Sequence, residues 1–341
     1  MRKKVKSLLS KHEFYISLVI VLLCIMIEVR SGQFFTPNNL VDLSSALIVP
    51  GLFAIGAFMV IVSGGIDVSF PALASLSVYA TTKILTDANY KGGILLPIVM
   101  VLVFGALLGA FNGFFIARLK LPTMIITLGT SSVFRGIMQG VLNSTQIPNI
   151  PEGMKNFGNA ALFVAKNQQL GLTSRMPVAV LVLIAAIALA YFVLRYTMFG
   201  RALFAIGGNE TSAYRAGFNV GRTKFILYVI VGAVSSLAGL IRTCMMGQMH
   251  PTNMLGMEMM IIAGVVLGGV AITGGDGTLT GCMLGTILIV MVQNSLILLG
   301  VPTYWQEFFL GTLIIVGTGI SAMQVMRNKR RLVSRKLEEG S

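Results

Sequence analysis

The chain has 341 residues, 55% of them hydrophobic and 11% charged, with a mean hydropathy of +0.84 and a formal net charge of +14. A water-soluble globular domain carries about 25% charged residues, so the solvent for most of this chain is lipid. The positive charge does not indicate nucleic acid, because the basic residues gather at the chain ends and in two internal loops without interleaved aromatics.

Apolar stretches near the length that a spanning helix needs recur ten times, at 14–31, 41–62, 66–86, 93–117, 122–141, 177–195, 224–246, 257–273, 278–300 and 306–326. The first follows the basic start MRKKVK and ends at Glu28-Val29-Arg30 with no small-residue cleavage site. It reads as a retained span rather than a cleaved signal. Ten spans put both chain ends on one side. That side receives 18 of the 26 Lys/Arg: five before the first span, Arg118 and Lys120, five in 195–224 (Arg195, Arg201, Arg215, Arg222, Lys224) and six after the last span. Positive charge stays in the cytoplasm, so both termini and the 195–224 segment are expected there. The loop 142–176 then faces outward; it is either an ordered cap that meets a partner or a plain connector. Cys24, Cys244 and Cys282 lie in apolar stretches without metal-ligand spacing and read as buried small hydrophobes.

The chain echoes itself. Asn112, Pro122-Thr123 and Leu128-Gly129-Thr130 recur as Asn294, Pro302-Thr303 and Leu310-Gly311-Thr312, with an Asn-to-Gly spacing of 17 both times. Gly105, Gly109 and Gly113 are four apart, as are Gly277, Gly281 and Gly285; small residues at that spacing let helix backbones approach closely. Matching spans four and five to nine and ten gives an odd offset, which inverts one half relative to the other, as in many transporters. A second echo, Ser63-Gly64-Gly65 and Thr273-Gly274-Gly275, does not fit that register.

Inside the basic segment lies a short helix with end signals. Asn209 is an N-cap, Glu210 sits where the helix dipole favours an anion, and Gly217 sits where a left-handed C′ residue is wanted. The expected helix, Glu210 to Ala216, is too short to persist alone in water. It packs either on its own membrane domain or into a groove on another protein.

The run Ala205-Ile206-Gly207-Gly208-Asn209-Glu210, continuing through Ala213 and Gly217 to Asn219-Val220, resembles the cytoplasmic coupling segment of the bacterial ABC sugar-permease family, to which ribose-type importers belong. Ser63-Gly64-Gly65-Ile66-Asp67-Val68-Ser69, Leu121-Pro122-Thr123 through Thr127-Leu128-Gly129-Thr130 and Arg135-Gly136, and Val266-Leu267-Gly268-Gly269 through Asn294-Ser295 resemble that family's other segments in the same order, over about 40–320. The resemblance implies an all-α membrane protein, type II importer permease-like, with about ten transmembrane helices and an inverted repeat in one permease domain over 1–341. It implies two permease subunits, alike or different, around a central path. It also implies an extracytoplasmic sugar-binding protein and cytoplasmic ABC ATPase subunits that engage Gly207, Gly208, Asn209, Glu210, Ala213 and Gly217. Deleting 207–217 is then expected to abolish ATPase binding while leaving membrane insertion intact.

Polar groups in or beside spans are costly and face a cavity or a partner helix. Asp67, Asn112, Arg135, Gln293 and Asn294 are therefore candidates for the substrate path. Four have a structural alternative: Asp67 caps a helix, Arg135 pairs with Asp67 or Glu258, and Asn112 and Asn294 bond between helices. No Gly-Lys dipeptide occurs, so a phosphate-binding P-loop is absent from this chain. His-Glu-x-x-His and Gly-x-Ser-x-Gly are absent too. The expectation is a non-enzyme with no cofactor or metal of its own, moving a small sugar with energy from a separate ATPase. An ion-driven secondary transporter is the alternative.

Overall fold

The computed structural model describes residues 12–167 and 171–302 and isolated positions between 305 and 319, so the expected span 306–326 lies largely outside the described residues. In order the elements are α1 (His12–Ser31), α2 (Pro37–Val62), α3 (Phe70–Asp87), α4 (Leu95–Gly113) with a π-helical turn (Phe114–Arg118), α5 (Thr123–Gly140), α6 (Glu152–Asn159), β1 (Ala161–Asn167), β2 (Leu172–Pro177), α7 (Ala179–Tyr196), α8 (Met198–Gly208), α9 (Glu210–Arg215), α10 (Val220–Met246), α11 (Met257–Leu267) and α12 (Leu279–Leu298). Six of the described helices, α1, α2, α4, α7, α10 and α12, are long and apolar enough to cross a membrane.

The expected spans move where caps and glycines act. α2 starts at Pro37 rather than 41 because Thr36 Oγ1 accepts from Asn39 N–H at 3.4 Å and Pro37 occupies the first turn. α10 starts at Val220 rather than 224 because Asn219 Oδ1 accepts from Arg222 N–H at 2.9 Å. Span 66–86 loses its beginning: α3 opens only at Phe70, after an irregular break in which Gly64 has φ +83°. Span 257–273 loses its end: α11 stops at Leu267, and Gly269, Gly274, Gly275 and Gly277 all have positive φ. The 11 residues of α11 rise about 16 Å, half a hydrocarbon core. Irregular backbone at such depth is tolerated only where protein encloses it.

α2 is the most enclosed of the long helices, with every residue from Ile48 to Val62 buried. α3 is too polar to count among the six, yet Ser75, Ser77, Thr81 and Thr82 are buried. Its neighbours are α4, α5 and α10 rather than lipid, which removes the demand for a wholly apolar surface. α4 meets α10 through glycine: a Cβ on Gly109 would strike Tyr228 O, and one on Gly105 would strike Gly232 O. Gly281 and Gly285 of α12 fit against Gly268 and Gly264 of α11 in the same way. α1 and α7 present apolar outer surfaces, including Leu22, Ile25, Ile184 and Phe192. Cys244 and Cys282 are buried, while Cys24 is only half-buried.

The connecting segments sort into two ends. The break at 63–69, the turn at 118–124, α8–α9 and the break at 268–278 touch one another at one end: Gly275 N–H donates to Val62 O, and Val68 N–H donates to Thr127 Oγ1. The loops expected outside meet at the other, where Ile147 bridges to Met249 and Tyr79 Oη donates to Thr145 O. The 142–176 segment is not a bare connector: it carries α6 and the antiparallel β1–β2 hairpin. Buried Asn38 at the start of α2 pins that hairpin, its Nδ2 lying 3.1 Å from Leu172 O and 3.3 Å from Ala165 O. Asn38→Ala strands those carbonyls and is expected to cost about 1–3 kcal/mol locally. Hydrogen exchange of 161–177 then accelerates while α10 amides stay protected; unchanged exchange in the hairpin would show that Asn38 does not hold it.

Candidate functional site

The basic segment folds as two helices at the end where the breaks gather. Thr197 caps α8, its Oγ1 accepting from Gly200 N–H at 3.2 Å. Asn209 ends α8 and begins α9, with extended backbone and its Oδ1 accepting from Ser212 N–H at 2.8 Å. α9 runs Glu210–Arg215, one residue shorter than expected, with Ala216 as C-cap. Gly217 follows in the left-handed region at φ +90°, letting Phe218 N–H reach back to Ala213 O. Ala213 is the one buried residue of α9 and packs on Ala202 and Ile206 of α8. Glu210 pairs with Lys224 at 2.7 Å, tying α9 to the first turn of α10. The rest of the α9 surface is exposed, and Tyr214 is 72% exposed. α8 went unread in the sequence because its cap and glycines sit within a charged stretch that shows no long apolar run.

Gly207 and Gly208 differ in surroundings. A Cβ on Gly208 would meet nothing within 4 Å. One on Gly207 would collide with Val62 O and come within 2.5 Å of Gly275 N. A Cβ on Gly274 would lie 2.6 Å from Gly64 Cα, and one on Gly275 2.6 Å from Gly208 Cα. Three backbones therefore meet without side chains between them: the end of α2, the end of α8, and the break after α11. The echoed segments Ser63-Gly64-Gly65 and Thr273-Gly274-Gly275 touch here through Gly64 and Gly274. Beside the junction lies a cavity of about 1240 Å³, lined by Ile66, Lys120, Thr123, Tyr214, Asn219 and Lys224 among others.

The polar candidates within spans fall in three places. Asp67 is 3% exposed, and its Oδ1 accepts from Ser69 N–H and Oγ, both at 2.7 Å. Ser69, not Asp67, is the residue flanking α3, so Asp67 shapes the turn before the helix. Asn112 Nδ2 donates to Ser69 Oγ at 2.8 Å, joining α4 to that turn. Arg135 lies 3.5 Å from Glu258, linking α5 to α11 rather than to Asp67. Asn294 Nδ2 donates to Asn39 Oδ1 at 3.4 Å near the opposite end, and Gln293 is half-buried on α12. Asp67 and Asn112 form one cluster; Arg135, Gln293 and Asn294 do not join it.

A family model described as branched-chain amino acid transport system / permease component matches residues 39–317. The ribose import permease protein of Bacillus subtilis is 32% identical over 299 residues, 86% of this chain and 88% of that protein. The autoinducer 2 import system permease protein of Klebsiella pneumoniae is 29% identical over 339 residues, 98% of this chain and 94% of its own. The xylose transport system permease protein of Escherichia coli (strain K12) is 27% identical over 373 residues, 95% of this chain and 94% of its own. No solved structure matches the chain.

Proposed function

The chain belongs to the family of branched-chain amino acid transport system / permease components, and on that premise we propose that it is the membrane subunit of an ATP-driven importer for a monosaccharide-sized sugar. Its relatives' names, ribose, xylose and autoinducer 2 permeases, support a small polyhydroxylated cargo. So does the chemistry: a neutral sugar asks for amides and hydroxyls, whereas a free amino acid brings two charges that need partners. The span interiors offer Asn112, Ser69, Thr127 and Thr130 and few ions.

The single observation that carries the ATPase-driven reading is α9. A six-residue helix that buries only Ala213 and displays Tyr214 has little reason to exist unless another protein covers it. A separate ATPase docking there, in the cytoplasm, makes both termini cytoplasmic in a ten-span arrangement. The helix neighbours support an inverted repeat: exchanging α2 with α10, α3 with α11 and α4 with α12 carries the pairs α4–α10 and α3–α4 onto α2–α12 and α11–α12, all of which are adjacent. The outward face of α5 supports pairing with a second permease subunit, because Gly129, Ser132, Gly136 and Gln139 are exposed there and lipid offers the Gln139 amide no partner. The outer cap of α6 and the hairpin is the surface we assign to the sugar-binding protein.

The test begins with a monosaccharide screen of the co-encoded binding protein. The sugar found is then offered, labelled, to proteoliposomes holding permease, ATPase and binding protein. Uptake requires internal ATP and survives an uncoupler. Uptake that persists without ATP and collapses with the uncoupler would instead identify an ion-driven transporter, and the proposal would be abandoned.

A further inference from the structure

We propose that Gly207 is a positioning residue through which one displacement of α9 moves both irregular breaks, 63–69 and 268–278, together; this rests on the reading of the chain as an ATP-driven permease. α9 is tied to the membrane helices by few contacts. Ala213 fixes it to α8, and the Glu210–Lys224 pair fixes it to α10. Through α8 it reaches Gly207, which touches Val62 at the end of α2 and Gly275 in the second break. Gly64 and Gly274 complete the contact, and Gly275 N–H donates to Val62 O at 2.9 Å.

No side chain lies between these three backbones, so none can absorb a displacement by changing rotamer. Side chains have that freedom and close-packed backbone does not. On its other flank α9 borders the cavity of about 1240 Å³, which leaves it room to shift. The first break leads directly into Asp67 and Ser69, and thence to Asn112 on α4. The second leads into α12 at Thr278. A shift of α9 is thereby delivered to α3, α4 and α12 from one point.

The experiment uses the full-length chain with its ATPase subunits in nanodiscs and carries Thr273→Cys, an exposed position within the second break. Labelling by a water-soluble maleimide is timed without nucleotide and with vanadate-trapped nucleotide; the chain lacking Thr273→Cys gives the background from its native cysteines. The parent is expected to change rate by about fivefold between the two conditions, the low end of coupling between distant sites. In Gly207→Ala complexes that assemble with the ATPase, most of that change is lost. Gly221→Ala, whose added methyl meets nothing closer than Ala117 O at 3.5 Å, keeps it. Where Gly207→Ala fails to assemble, Gly64→Ala serves: its methyl meets nothing closer than Gly207 Cα at 3.5 Å, so it perturbs the junction through the φ of +83° that an L side chain disfavours rather than through a collision. A parental nucleotide response in the assembled junction variant overturns the proposal and leaves the ATP-driven reading standing. A parent complex that retains no ATPase overturns that reading, and the proposal with it.

Discussion

Tyr214→Asp leaves the permease folded but strips it of its ATPase, with retention in co-purification falling about 30-fold or more. Tyr214 is 72% exposed on a helix held by Ala213, so its side chain contributes little to the fold. An exposed aromatic that becomes buried on docking is the usual anchor of an interface, and its removal costs about 2 kcal/mol or more. Each 1.4 kcal/mol is a factor of about ten in affinity, and the introduced carboxylate adds a desolvation cost. The melting profile of the variant in detergent serves as the control and should match the parent. Deleting 207–217 is the blunter experiment, because it also removes Gly207 from its junction with Val62 and Gly275. Parental retention of the ATPase by Tyr214→Asp would show that the exposed face of α9 is not the docking surface.

Gly109→Leu abolishes the folded permease. The first added carbon would strike Tyr228 O, and Gly232 Cα stands beside it, so α4 and α10 would have to separate along their length. Overfilling a packed interior costs about 1–3 kcal/mol and sometimes more. Here the obstacle is backbone, so the upper part of that range or beyond is expected. Gly93→Ala, just before α4, is the control, since its methyl would meet open space. Fluorescence-detected size exclusion reads both: the first variant is lost to aggregate, the second elutes as the parent does. A monodisperse Gly109→Leu peak would mean that the α4–α10 contact is looser than drawn.

The membrane character, nine of the apolar stretches that become helices or parts of helices, and the caps at Asn209 and Gly217 were legible in residue order, because they depend on composition and on chemistry within one turn. The Gly105, Gly109 and Gly113 spacing announced a close helix contact but not its partner, α10, since nothing local distinguishes one facing helix from another. α3 and α11 were read too long for a related reason. Hydropathy sees apolar residues through glycines, while the positive φ of Gly64 and of Gly269 breaks the helix regardless of how oily its neighbours are. The hairpin β1–β2 was missed because its strands pair only with each other and lean on Asn38 from 127 residues earlier in the chain.

Among the candidate residues the division is the same. Asn209, Glu210, Ala213 and Gly217 form a unit because all lie within nine residues of one another. Asp67, Asn112, Arg135, Gln293 and Asn294 share only polarity in a membrane setting, and their distribution over three places follows from which helices touch. Sequence alone determined that this chain lives in lipid and presents a capped, charged segment to water, because hydrophobic transfer and helix capping act locally. Tertiary structure alone decided that Gly207 meets Gly64, Gly274 and Gly275, because contact between backbones distant in the chain is set by how the helices assemble and leaves no mark on the residues except the absence of a side chain.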